Sequence, residues 1–244
     1  MQKLKYVSCM AGAAFLTLLG CGGDSGADGN ANDGTAGATG ATGSLIVYPP
    51  KIYSGFDGTN SYQAPIIAHA ASGKVSWTID DESVATLTPS GANNENLMLK
   101  MKKAGNATIT ASAGGKTSKA TLSVTSYTSA QREAGAQRYT TAPDDMNPAC
   151  MACHGADRGS NRPNHSPTEL DADTDSEVQN TFLSGTDPEG RKIVEISEFA
   201  DLLTTKGYTH MWKVTDEQKT GLLAYLRSLE PLGFPEYDAP TTMK

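Results

Sequence analysis

The chain has 244 residues, with 20 Lys and Arg against 27 Asp and Glu and a formal net charge of −7. That balance excludes a nucleic-acid binder held by phosphate contacts, because both surfaces would be anionic. Four cysteines in this length exclude a disulfide-built scaffold, and the length itself bounds the chain to one or two domains.

The elements begin with a targeting segment. Lys3 and Lys5 precede an apolar stretch from Val7 to Leu19. About 13 residues are too few to span a bilayer, so residues 1–20 read as a signal peptide. The stretch ends in Leu18-Leu19-Gly20-Cys21, which resembles the lipobox of bacterial lipoproteins. The resemblance implies cleavage before Cys21 and acylation of its thiol; an ordinary signal peptide with a coincident cysteine is the alternative. Acyl chains contribute about 0.8 kcal/mol per buried CH₂, so a multiply acylated Cys21 would hold the chain to a lipid bilayer. Loss of Lys3 and Lys5 would take the charge from −7 to −9. Gly22 stands where the enterobacterial sorting rule reads Asp, and resemblance to that rule points to the outer membrane of a bacterial cell envelope. Residues 21–44 are then a tether of Gly, Ala, Thr, Asp and Asn, with nothing to bury. As a coil it reaches on the order of 25 Å, and about 75 Å when stretched.

Residues 45–126 change character. Short β-branched runs alternate with turn residues: Leu45–Tyr48, Ala64–Ala70, Lys74–Ile79, Ser83–Leu87, Leu97–Lys102, Ala107–Ala113 and Ala120–Thr125. Val75, Trp77 and Ile79 share one face by period two, and Ala107 to Ala111 repeat the alternation. About seven short strands in some 80 residues predict an all-β sandwich. The segment resembles the bacterial Ig-like (group 2) family. The matching residues are Val75-Ser76-Trp77, Asp81-Glu82-Ser83-Val84-Ala85-Thr86-Leu87, Ala104-Gly105-Asn106-Ala107-Thr108-Ile109-Thr110-Ala111 and Ala120-Thr121-Leu122-Ser123-Val124. The family implies a spacer or adhesion module without enzyme activity. Trp77 reads as the core aromatic between sheets, and His69 as a surface residue.

Residues 127–244 are predicted to be all-α. Thr128 or Ser129 caps a helix to about Tyr139, and Thr174-x-x-Glu177 opens another to about Leu183. Lys192–Lys206 reads as an amphipathic helix through Ile193, Ile196, Phe199, Leu202 and Leu203. Thr215-x-x-Gln218 caps the last helix, whose Leu222, Tyr225, Leu226 and Leu229 form an apolar stripe. Between the first two helices, residues 150–154 read Cys-Met-Ala-Cys-His, the attachment spacing of a c-type haem. Cys150 and Cys153 would form thioethers to the haem vinyl groups, and His154 would be the proximal iron ligand. A redox dithiol and half of a zinc site are the other readings. The first expects a βαβ setting and the second a paired ligand cluster, and neither is seen in the sequence.

The region resembles a class I cytochrome c along most of its length. The matching residues are Gly135 and Tyr139 before the haem motif, Cys150-Met151-Ala152-Cys153-His154-Gly155, and Gly221 to Leu229 in the last helix. The resemblance implies that Gly135 packs against Tyr225 and that a Met before the last helix is the distal ligand. Met211 holds that place, with His210 beside it as the alternative. Only one of the two can face the iron, because adjacent side chains in an extended loop point opposite ways. Tyr208, Trp212 and Phe199 would wall the pocket. Pro163 or Pro167 would offer a carbonyl to the His154 ring, and Arg158, Arg162 and Arg191 are candidates for the propionates.

The chain is therefore expected to be two domains, a β-sandwich at 45–126 and a cytochrome domain at 127–244. Its expected role is that of an electron carrier, not an enzyme: one haem c passing single electrons between redox proteins, with basic docking patches expected on the partners. A haem-based sensor and an envelope adhesion protein led by the sandwich are the alternatives.

Overall fold

A computed structural model of the chain describes residues 44–69, 73–154, 164–196, 203–205 and 207–237. Cys21, Phe199, Arg158, Arg162 and Pro163 lie outside them. Among the described residues, two four-stranded sheets pack face to face, as the alternating pattern predicts. The first runs β1 (Ile46–Tyr48), β3 (Gln63–His69), β6 (Asn96–Met101), β5 (Ala85–Ser90). The second runs β2 (Lys51–Phe56), β8 (Lys116–Ser126), β7 (Gly105–Ala113), β4 (Ser76–Ile79). Period-two burial places Ala107, Ile109, Ala111 and Ala113 of β7 inward, opposite Ile66, Leu97 and Leu99 of the first sheet in one apolar core. Trp77 is 9% exposed, with its indole N–H donating to the Asn94 carbonyl at 2.7 Å. It is a core residue, and His69 is exposed, as expected.

One strand was not legible. β2 follows Pro49-Pro50 and turns Ile52 and Ser54 inward, so its buried face lacks a run of apolar side chains. It pairs in parallel with β8, Ile52 opposite Leu122, a non-local contact that no hairpin signal announces. β2 is also the edge of its sheet. Its Tyr53 N–H donates to the Asp171 carbonyl at 2.7 Å, so the helical region covers that edge.

The helical part is small and joins the sandwich without a linker. β8 ends at Ser126 and Thr128 already caps α1 (Ser129–Thr140). Then come a single turn α2 (Met151–His154), α3 (Pro167–Leu170), α4 (Asp175–Ser184) and α5 (Asp216–Arg227). The capping boxes at Thr128/Gln131, Thr174/Glu177 and Thr215/Gln218 are all formed, satisfying N–H groups that a helix start leaves open. α1 and α5 cross with Gly135 against Gly221. A Cβ on Gly135 would meet the Gly221 carbonyl and the Leu222 nitrogen, so this is a backbone-to-backbone contact. The expected partner Tyr225 instead packs on Tyr139, ring centres 5.1 Å apart.

The segment 192–206 departs from the sequence reading. Ile193–Glu195 is one 3₁₀ turn, after which Ile196 is extended. The turn is fixed by the Ile193 N–H to the Gly185 carbonyl at 2.9 Å and by a bridge between Thr186 and Lys192. These tie the start of the segment to the end of α4, so a helix cannot begin at Lys192. Residues 197–202 lie outside those described.

From α3 into α4 the chain carries Glu169, Asp171, Asp173, Asp175 and Glu177, and Asp175 pairs with the buried Arg227 at 3.1 Å. Burial, then the charge of Glu177, pushes Asp173 up to about 6 from its ordinary 3.8, against the pull of Arg227. Burial likewise raises Asp171 well above the usual carboxylate range. An unfolded Asp173 releases its proton near 3.8, while the folded one keeps it to about 6. The native state then binds more protons in that window, so this group makes stability fall as pH rises through it. Asp173→Asn should remove that part of the slope. The difference in urea midpoint between wild type and variant should drift from pH 4 to 6.5; a constant difference would refute the raised pKa.

Candidate functional site

The site is built at the turn α2. The Cys153 and His154 N–H groups both donate to the Cys150 carbonyl, at 3.1 and 3.0 Å. That single turn sets the two thiols and the imidazole beside one another. Both cysteines are half-buried and outside any disulfide. Burial raises the Cys150 thiol above its ordinary value, partly offset by Arg138. A redox-active CxxC lowers the pKa of its attacking thiol, the opposite of the direction at Cys150. Nor is a zinc set assembled: among the described residues no group of three or more His, Cys, Asp or Glu converges on a common point.

The long loop before Cys150 is held by two buried polar residues. Asn147 donates to Asp144 Oδ1 at 2.8 Å and accepts from the Lys213 N–H at 3.0 Å. Arg138, 1% exposed, donates from Nη1 to the Pro148 carbonyl at 3.0 Å and from Nε to the Lys213 carbonyl at 3.3 Å. Its Nη2 is buried with no partner. Arg138 shares a helix face with Gly135 and Tyr139 at i, i+3 and i+4 spacing, a signal available in the sequence but outweighed by its charge.

Three imidazoles gather here. The His154 and His165 rings stack with centres 3.8 Å apart and planes 22° apart. The His210 ring lies 6.3 Å from that of His154, centre to centre. The polar run Asn164-His165-Ser166-Pro167 reads as a loop, yet the structure stacks His165 on His154, near Tyr139, with Nδ1 buried and unpartnered. Burial, then His154 and His210, keeps His165 well below the usual histidine range. His210 Nδ1 donates to the Thr181 carbonyl at 2.9 Å, and burial lowers its pKa. Burial thus favours the neutral form of both rings, the form in which imidazole binds metals.

Trp212 lies 5.2 Å from the His210 ring and 5.7 Å from that of Tyr208, so these two expected wall residues are beside the imidazoles. Met211 is 53% exposed. Pro167 is buried at the first turn of α3, while Arg191 is exposed and paired with Asp187 and Glu189.

The bacterial Ig-like domain (group 2) family matches residues 52–124, the span from β2 into β8. This segment is a bacterial Ig-like domain. No curated protein matches the chain. Solved structures similar to it include domains 4 and 5 of the S-layer protein SbsC, at 18% identity and a TM-score of 0.28, covering 34% of this chain and 51% of that one. This chain thus spans about half the length of that S-layer fragment. The M1 domain from titin is similar at 7% identity and a TM-score of 0.28, over 34% of this chain and 95% of that one. The Ig26-containing twitchin kinase region from C. elegans is similar at 17% identity and a TM-score of 0.26, over 32% and 15%.

Proposed function

We propose that residues 127–244 hold one covalent haem c and that the chain carries single electrons between redox proteins at a bacterial envelope, anchored through an acylated Cys21. The observation that supports this most is the α2 turn, with Cys150, Cys153 and His154 on one turn and a second imidazole 6.3 Å from the first. The donor set fits the group. Each thiol can add its S–H across a vinyl double bond, sulfur to one carbon and hydrogen to the other, with no net oxidation. Arg138 Nη2 is a buried cation with a vacant hydrogen bond, suited to a propionate carboxylate. Tyr139, Tyr208 and Trp212 supply apolar walls that keep water from the site. When bound, haem iron supplies a one-electron couple whose potential its axial ligands set. His154 would orient toward the metal while its backbone carbonyl accepts from the Tyr139 hydroxyl at 3.3 Å, which ties the turn to α1.

The Ig-like domain acts as a spacer in this reading. The Tyr53 N–H bond to the Asp171 carbonyl joins its β2 edge to the helical region. The acidic chain suits partners with basic docking patches. The test is expression of the full chain in a host with haem maturation in its oxidising compartment. The purified protein should give a pyridine haemochrome spectrum of haem c at one haem per chain. Replacing Cys150 and Cys153 together with alanine should abolish it. Wild-type protein without covalent haem would overturn the proposal.

A further inference from the structure

We infer that His210, not Met211, is the second axial ligand, an inference that rests on the haem reading above. An imidazole nitrogen binds a first-row metal at about 2.0–2.1 Å, as zinc sites show. Two such bonds in line, with a half-ring beyond each, place the ring centres on the order of 6 Å apart. The His154 and His210 centres are 6.3 Å apart. Their planes lie at 76°, which axial ligation allows, because it fixes the edge of each ring and not its twist. His165 fails the same test: its ring stacks on His154 at 3.8 Å, too close for an atom to sit between.

The surroundings of His210 are those of a ligand held in place. Its Nδ1–H donates to the Thr181 carbonyl at 2.9 Å. That bond fixes the tautomer that leaves the lone pair on Nε2, the arrangement by which outer partners orient metal-bound histidines. The backbone is constrained too. His210 has φ of 54°, a left-handed conformation that a non-glycine residue rarely adopts and that tertiary contacts must enforce. Those contacts come from the end of α4. The Trp212 N–H donates to the Phe182 carbonyl at 2.9 Å. At Gly185 a Cβ would meet the Thr209 carbonyl at 3.0 Å and the His210 carbonyl at 3.2 Å. The strain turns the His210 ring toward α4 and His154 and leaves Met211 on the outside, 53% exposed.

The chemical consequence is a lower potential than a Met-ligated centre of the same frame, since thioether sulfur favours Fe(II) and a second imidazole does not. The experiment uses the full-length holoprotein, with haem content measured first by pyridine haemochrome. Ferric wild type should be low-spin and should lack the far-red sulfur-to-iron absorption band. Met211→Leu should leave the spectrum and midpoint potential unchanged. Reduced His210→Ala should gain rapid CO binding that wild type lacks, and His210→Met should shift the midpoint potential upward. His165→Ala should stay low-spin, which keeps the test decisive should the His210 variants fail to fold. A sulfur-to-iron band lost in Met211→Leu, or CO binding gained by His165→Ala, would overturn the assignment while haem c stands. Absence of haemochrome from wild type would instead sink the haem reading itself.

Discussion

Gly135→Ala should destabilise the protein by about 3 kcal/mol, at the upper end of the cost of forcing extra carbon into a packed site. Helix propensity alone gives the opposite sign. Gly in a helix interior is about 1 kcal/mol worse than Ala, so an isolated α1 would be strengthened. The packing term wins because of what the new carbon meets. At Gly135 the nearest atoms are the Gly221 carbonyl and the Leu222 nitrogen, and at Gly221 they are the Gln131 carbonyl and the Gly135 nitrogen. All are main-chain atoms inside helices, so no rotamer change relieves the clash. The axes of α1 and α5 must separate, exposing Leu222, Leu226 and Tyr139, which the crossing now buries. Native-state hydrogen exchange localises the effect: amides of α1 and α5 should lose protection before those of β6 and β7. A variant as stable as wild type in urea, or more so, would show that the crossing is looser than described.

The local signals of this sequence carried far. Each capping box is a contest that a few side chains decide, and Thr128, Thr174 and Thr215 decide it without help from the rest of the fold. The alternation in β4, β7 and β8 likewise follows from a sheet with one buried face. What was not legible depends on distant partners. β2 is a strand because β8 and the helical region bond to its two edges, while its own buried residues are only Ile52, Ser54 and Gly55. Ile193 carried a helical period, but bonds to Gly185 and Thr186 of the preceding turn overrode it. In the candidate site, the placing of Cys150, Cys153 and His154 on one turn follows from their spacing alone. The position of His165 was not legible, since a histidine in the polar run Asn164-His165-Ser166 reads as loop until His154 and Tyr139 close around it. Arg138 was hidden by its charge, which ordinarily marks a surface residue.

Arg227 joins the two parts of the molecule, and its removal should cost about 3–5 kcal/mol, the range for breaking a buried charge network from one side. The residue sits on α5, 2% exposed. Its Nη1 donates to the Leu170 carbonyl, and its Nη2 to the Asp173 carbonyl at 2.6 Å and to Asp175 Oδ1 at 3.1 Å. The other Asp175 oxygen accepts from the Tyr127 hydroxyl at 2.9 Å and from Thr125 Oγ1 at 3.2 Å, both at the end of the sandwich. In Arg227→Ala two buried carbonyls lose their donor, and Asp171, 1% exposed, loses the cation that offsets its burial. Arg227→Lys keeps the charge but cannot serve three acceptors from one planar fork, so it should recover less than half of the loss. Because the network spans the junction, wild type should unfold in one urea transition by both tryptophan fluorescence and far-ultraviolet dichroism. In Arg227→Ala, made with Trp212→Phe so that fluorescence reports Trp77 alone, the two probes should part, the helical signal falling first while Trp77 in the sandwich core stays buried. Coincident transitions in the variant, or a loss below about 1 kcal/mol, would mean that the sandwich and the helices are held together by something other than this guanidinium.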